Sequence, residues 1–133
     1  MTAPISVLEL VRLSEVKPEP INWLWPGRIP KGKITLIAGH PGLGKSQVTV
    51  SIAAIVSSGG IWPVDEMPAD VGNVLILSAE DGIADTIKPR LLAAGADTDR
   101  IEAIEAVRMG DQRFPFSLKR DLELLRDTKA SLL

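Results

Sequence analysis

Cysteine is absent from the 133 residues of this chain, and histidine occurs once. A disulfide framework is therefore excluded, as is a thiolate metal site, and one imidazole cannot build a zinc cluster. Any metal must be bound through oxygen. Neither sign of charge dominates: 15 Lys and Arg stand against 17 Asp and Glu, a formal net charge of −2. The broad electropositive surface that grips a polyanion is thus missing. Long apolar runs are missing too. The longest helix-like one, residues 48–56, falls well short of the roughly 20 residues needed to cross a bilayer. The opening MTAPISVLEL carries an acid and no basic n-region, so it does not read as a secretory signal. The expectation is a cytoplasmic protein with no membrane partner.

What remains is a chain that is 45% hydrophobic and 24% charged, within the globular range and long enough for one domain with a real core. Residues 5–16 fit a short helix or a strand equally. The stretch KPEPINWLWPGRIPKG holds four prolines and two glycines, which forbid long regular structure, while Trp23, Leu24 and Trp25 need an apolar place to sit. This stretch therefore reads as packed, and residues 1–32 as an N-terminal lead-in. KITLIA, residues 33–38, is a short β-branched run that suits a buried parallel strand. After it, KSQVTVSIAAIVS (45–57) has helical spacing and stops at two serines and two glycines. GGIWPVDEMPADVG reads as a long loop, and NVLILSA (73–79) as a second buried strand. Residues 85–94 read as a helix with Pro89 in its first turn, IEAIEAVRM (101–109) as a third strand, DQRFPF as a turn, and residues 118–129 as an amphipathic helix. Strands alternating with helices predict an α/β fold, a mostly parallel sheet with helices on both faces.

Between the first strand and the first helix lies IAGHPGLGKS. Gly39, Gly44, Lys45 and Ser46 satisfy G-x-x-x-x-G-K-[ST], with a further glycine at Gly42. Glycines let consecutive backbone N–H groups turn inward around an anion, and the helix beginning here adds its positive dipole end. Lys45 would reach the β and γ phosphates of a nucleotide, and the Ser46 hydroxyl a bridging magnesium ion. The predicted nucleotide-binding stretch is Gly39, His40, Pro41, Gly42, Leu43, Gly44, Lys45, Ser46 and Gln47, with ATP and Mg2+ as cofactors. His40 sits at a variable position of such loops and has no chemical role of its own. A glycine-rich turn spelling the motif by accident is the alternative, weakened by the strand before it and the helix after it.

Splitting the nucleotide needs a group that orients or activates water. Glu80 and Asp81 follow the second strand, and ligands of open α/β sheets bind beyond the carboxyl ends of their strands. Ser78 and Asp81 could instead merely cap the next helix. Spacing does not separate these readings. Together, WPGRIPKGKITLIAGHPGLGKS and VLILSAEDGIADTIKPRLLAAGAD resemble the RecA-like ATPases related to RepA-type hexameric helicases, a group of plasmid and phage AAA-family ATPases. The resemblance runs from Trp23 to the last residue. It implies a RecA-like P-loop NTPase domain over residues 33–133, and a water-activating base at Glu80. It also implies a homo-oligomer, hexameric in the intact parent, and a helicase-type role in DNA replication with DNA contacted through other regions. Arg90 matches the family pattern, but a solvated helix residue explains it as well.

A Walker B segment, an apolar strand ending in an aspartate that holds magnesium through water, is not found. Asp65 follows a proline in a loop, and in VLILSAED two small residues part the apolar run from its acids. Residues 130–133 read as the opening of such a strand. The expectation is an N-terminal part of a longer ATPase, incomplete at its C-terminal side, without the Walker B aspartate or the transition-state arginine of such motors. A small-molecule or nucleotide kinase is the rival enzyme class. A non-hydrolysing nucleotide-binding fragment is the rival outside enzymology.

Overall fold

The computed structural model describes residues 2–78 and 81–133. Residues 2–22 are exposed and without regular secondary structure apart from one 3-10 turn at Leu13–Glu15. The proline-rich lead-in then does what its turn residues permit: β1 (Trp23–Trp25) pairs antiparallel with β2 (Ile29–Pro30), and the Lys31 N–H closes on the Asn22 carbonyl at 2.8 Å. Proline survives in β2 because a two-residue edge strand asks little of its missing donor.

Residues 33–38, expected as a buried strand, make no ladder. Ile34 is 98% and Leu36 85% exposed. The predicted first helix is present as α1 (Lys45–Ser58), ending at Gly59, whose N–H donates to the Ile55 carbonyl. Its second half is buried almost all round at Ile52, Ala53, Ala54, Val56 and Ser57, as expected for a helix packed on more than one side. Ser57 Oγ accepts the Asp97 N–H at 3.1 Å, tying α1 to the turn beyond the next helix.

The second predicted strand is shorter than 73–79. It is β3 (Val74–Ile76), followed by a π-helical turn at Ile83–Ile87 that runs into α2 (Lys88–Ala93). Pro89 falls in the first turn of α2, where its missing N–H costs nothing. The predicted third strand, 101–109, is two strands. β4 (Ile101–Ala103) pairs parallel with β3, whereas β5 (Val107–Met109) turns through Gly110 into an antiparallel hairpin with β6 (Gln112–Phe114). The last helix is split into α3 (Leu118–Asp121) and a 3-10 segment, Leu122–Asp127.

The expected mostly parallel sheet is therefore reduced to one parallel patch. Leu132 bridges Val74 in parallel on the side of β3 away from β4, and the Leu75 N–H donates to the Leu132 carbonyl at 2.9 Å. A Cβ at Gly72 would lie 2.6 Å from Ser131 Oγ and 2.8 Å from its Cβ, so only glycine lets residues 131–132 approach closely enough to pair. The other two pairings are local hairpins, because short turns favour antiparallel neighbours. The core lies between this patch, α1, α2 and the lead-in, built on Leu24, Ile52, Val56, Trp62, Val74 and Leu91. Asp121 is a buried acid (4% exposed), and its carboxylate is met by Arg120 Nε and Nη2 at 2.8 and 2.6 Å and the Ser117 N–H at 2.8 Å. Among the described residues no helix is long and apolar enough to cross a membrane.

Candidate phosphate-binding loop

Gly42 and Gly44 take φ of +80° and +86°, the left-handed region in which a Cβ is strained. Nothing lies within 4 Å of the Cβ position at either, so it is backbone conformation that requires glycine there. Gly44 turns the chain into α1, whose first helical bond joins the Val48 N–H to the Gly44 carbonyl at 3.0 Å. The N–H groups of Lys45, Ser46 and Gln47 precede that bond and have no helical acceptor. They are donors at the positive end of a 14-residue helix.

Lys45 completes the loop from inside. Its Nζ donates to the Gly39 carbonyl at 2.6 Å and to the His40 carbonyl at 2.9 Å, which folds the ammonium back over the loop. An arriving phosphate would share or replace those bonds. His40, Pro41, Leu43 and Gln47 are exposed, and Leu43 makes no core contact that would draw the loop shut.

Ser46 stands on the rim of a cavity of about 660 Å³ between α1, β3 and residues 33–37. Thr49, Ser78, Asp81 and Arg90 line the same space. Ser46 thus shares this cavity with Asp81, which the sequence offered only beside Glu80 or as a helix cap, and with Arg90, which it explained equally as a solvated helix residue. Their common signal was position alone, at or just past the carboxyl end of β3 and in the first turn of α2. Glu80 lies outside the described residues, so its expected role as base is not placed by the geometry. The capping alternative is not realised by its neighbours: the residue before the π-helical turn is Gly82, without a side-chain cap, and Ser78 Oγ accepts the Asp81 N–H at 3.3 Å. Asp65 sits in a turn, as its proline context implied.

The donor set fits the cofactors expected. Orphan amides and an ammonium suit a polyphosphate, and the Ser46 hydroxyl is an oxygen ligand of the kind magnesium takes. Among the described residues no group of three His, Asp or Glu side chains could hold a metal unaided, so the nucleotide's own oxygens would supply most of its shell.

A glycine loop with left-handed glycines, opening a helix at Lys-Ser, defines a nucleotide-binding protein of the P-loop ATPase-like kind. A family model described as "AAA domain" matches residues 3–131. The chain belongs to that family. No curated protein matches it, and neither does any solved structure.

Proposed function

We propose that this chain binds Mg-ATP through residues 39–47 and that, in the intact parent ATPase, the bound nucleotide is hydrolysed by a RecA-like motor of the RepA-type helicase group, acting in plasmid or phage DNA replication. The observation that carries the binding step is the loop itself: two left-handed glycines lead into the three helix-start amides of α1, and Lys45 Nζ is folded back onto the Gly39 and His40 carbonyls. In this reading Lys45 neutralises charge on the β and γ phosphates, Ser46 is a magnesium ligand, and Glu80 activates water. The Walker B aspartate and a transition-state arginine come from other parts of the motor, whose subunits form a hexamer. The replication role is supported by the sequence resemblance alone.

Binding is tested by titrating the chain with the fluorescent analogue mant-ATP in magnesium. The wild-type chain saturates, and Lys45→Ala abolishes the signal at the same concentrations. Equal binding by Lys45→Ala would remove the assignment. Hydrolysis is tested in a form extended by about a hundred residues, roughly the length needed to complete such a domain. There Glu80→Gln keeps mant-ATP binding and loses phosphate release; normal release would exclude Glu80 as the base. Phosphate transfer to an organic acceptor in preference to water would favour the kinase reading.

A further inference from the structure

The turn after α1 carries strain that the phosphate loop does not use. The Asp65 N–H donates to the Pro63 carbonyl at 2.9 Å across Val64, whose φ is +74°. That is the rare, strained form of the γ-turn. A β-branched residue at positive φ is an outlier, and Glu66 follows at +53°. Such a conformation persists only where its surroundings over-determine it. Here Asp65 Oδ2 accepts from Trp25 Nε1 at 3.1 Å and from Arg28 Nη1 at 2.9 Å. The Arg28 guanidinium lies 5.0 Å from the Trp25 ring centroid, and Trp25 in turn stacks on Trp62 with centroids 4.9 Å apart and planes 6° from parallel. Trp62 is 1% exposed.

We infer that Asp65 is a positioning residue for the phosphate loop, acting as the pin of a clamp formed with Arg28, Trp25 and Trp62. Trp25 and Arg28 belong to the hairpin that precedes residues 33–38 and so leads into the loop. Trp62 and Asp65 lie just beyond the helix that leads out of it. The clamp therefore joins the two flanks of one continuous stretch, residues 25–65, with the phosphate loop in its middle. Among the described residues, 33–38 have no ladder partner. The sheet does not hold the approach to the loop, which leaves the hairpin and its ties to the segment after α1: the clamp, and a longer, more exposed Lys31–Asp70 ion pair at 3.8 Å. Aromatic stacking and a charge-assisted bond are suited to this, since both are directional. The consequence for affinity rests on the nucleotide-binding reading above; the consequence for loop order does not.

The test uses the full chain. Asp65→Ala is expected to weaken mant-ATP binding by about tenfold, the scale of a lost hydrogen bond to a charged group. It should also shift tryptophan emission to the red and speed amide hydrogen exchange in the first turns of α1, residues 48–51, without nucleotide present. Asp65→Asn, which keeps an oxygen acceptor, should recover part of the affinity. Val64→Gly relieves the backbone strain, so the double variant Val64→Gly/Asp65→Ala should regain thermal stability yet still bind weakly. Affinity that returns with stability would make the clamp merely structural and overturn the inference. Unchanged exchange in Asp65→Ala would overturn it as well. If the wild-type chain binds no mant-ATP, the nucleotide reading fails by itself, and the exchange measurement alone decides the clamp.

Discussion

Residues 33–38, KITLIA, and residues 73–79, NVLILSA, are two apolar runs of nearly the same make-up on either side of one helix. Val74 and Leu75 are 3% and 8% exposed, whereas Ile34 and Leu36 stand almost wholly in solvent. The difference is in partners. β3 is paired with β4 on one side and Leu132 on the other, so its peptide groups are satisfied and its side chains can be covered. The earlier run has no such ladder among the described residues. Burying its peptide groups unpaired would cost more than its few side chains return. Apolar content makes a strand possible; a neighbour makes it buried.

That contrast can be tested most strongly at its leucines. Leu75→Ala should cost about 2–5 kcal/mol, as for other buried leucines, read from urea denaturation. A loss near zero would mean that β3 is not the packed member of the pair. Gly72→Ala should turn the paired run toward the unpaired one by pushing Ser131 away. A cost of about 1–3 kcal/mol is expected from this overpacking, together with faster exchange of the Leu75 amide that now rests on Leu132. The need for partners extends to charge at Asp121. Hydrogen bonds from the Arg120 side chain, and then from the Ser117 N–H, hold its carboxyl below the ordinary range, so the folded chain takes up that proton less readily than the unfolded one. Its stabilisation is complete above about pH 4, the unfolded value, and is lost as pH falls through the lower folded value. Asp121→Asn should flatten the acid side of the stability profile and leave neutral pH less stable. The smallest effect belongs to Leu36→Ala, expected within about 0.5 kcal/mol of wild type in the same urea experiment; a loss comparable to that of Leu75→Ala would show that residues 33–38 are packed in solution.

Local rules were legible wherever the signal was local. The glycine spacing and the Lys-Ser pair placed the start of α1 to the residue, and the serines and glycines at 57–60 placed its end to within one. Pro63 and Pro68 correctly kept Asp65 in a loop. Nothing in IEAIEAVRM announced that Ile104 to Ala106 would break one strand into two, because the same alternation serves a parallel partner and a hairpin. The lead-in was legible as irregular, yet the Trp25–Trp62 stack and the Asp65 pin join residues about forty positions apart, a pairing that no single-residue preference encodes. Asp81 and Arg90 likewise reached the rim of the Ser46 cavity through the path of β3 and α2.

By itself, then, the order of residues determined the phosphate loop and its helix, since left-handed glycines, orphan amides and a lysine act within one turn of chain. It also ruled out thiolate chemistry, since that needs atoms the chain does not have. Tertiary structure alone decided which apolar run became a core strand, which acid was buried against an arginine, and what the strained turn at Val64 holds in place. Those outcomes depend on partners brought together across the fold, and a peptide group or a carboxylate is stabilised by the neighbour it meets.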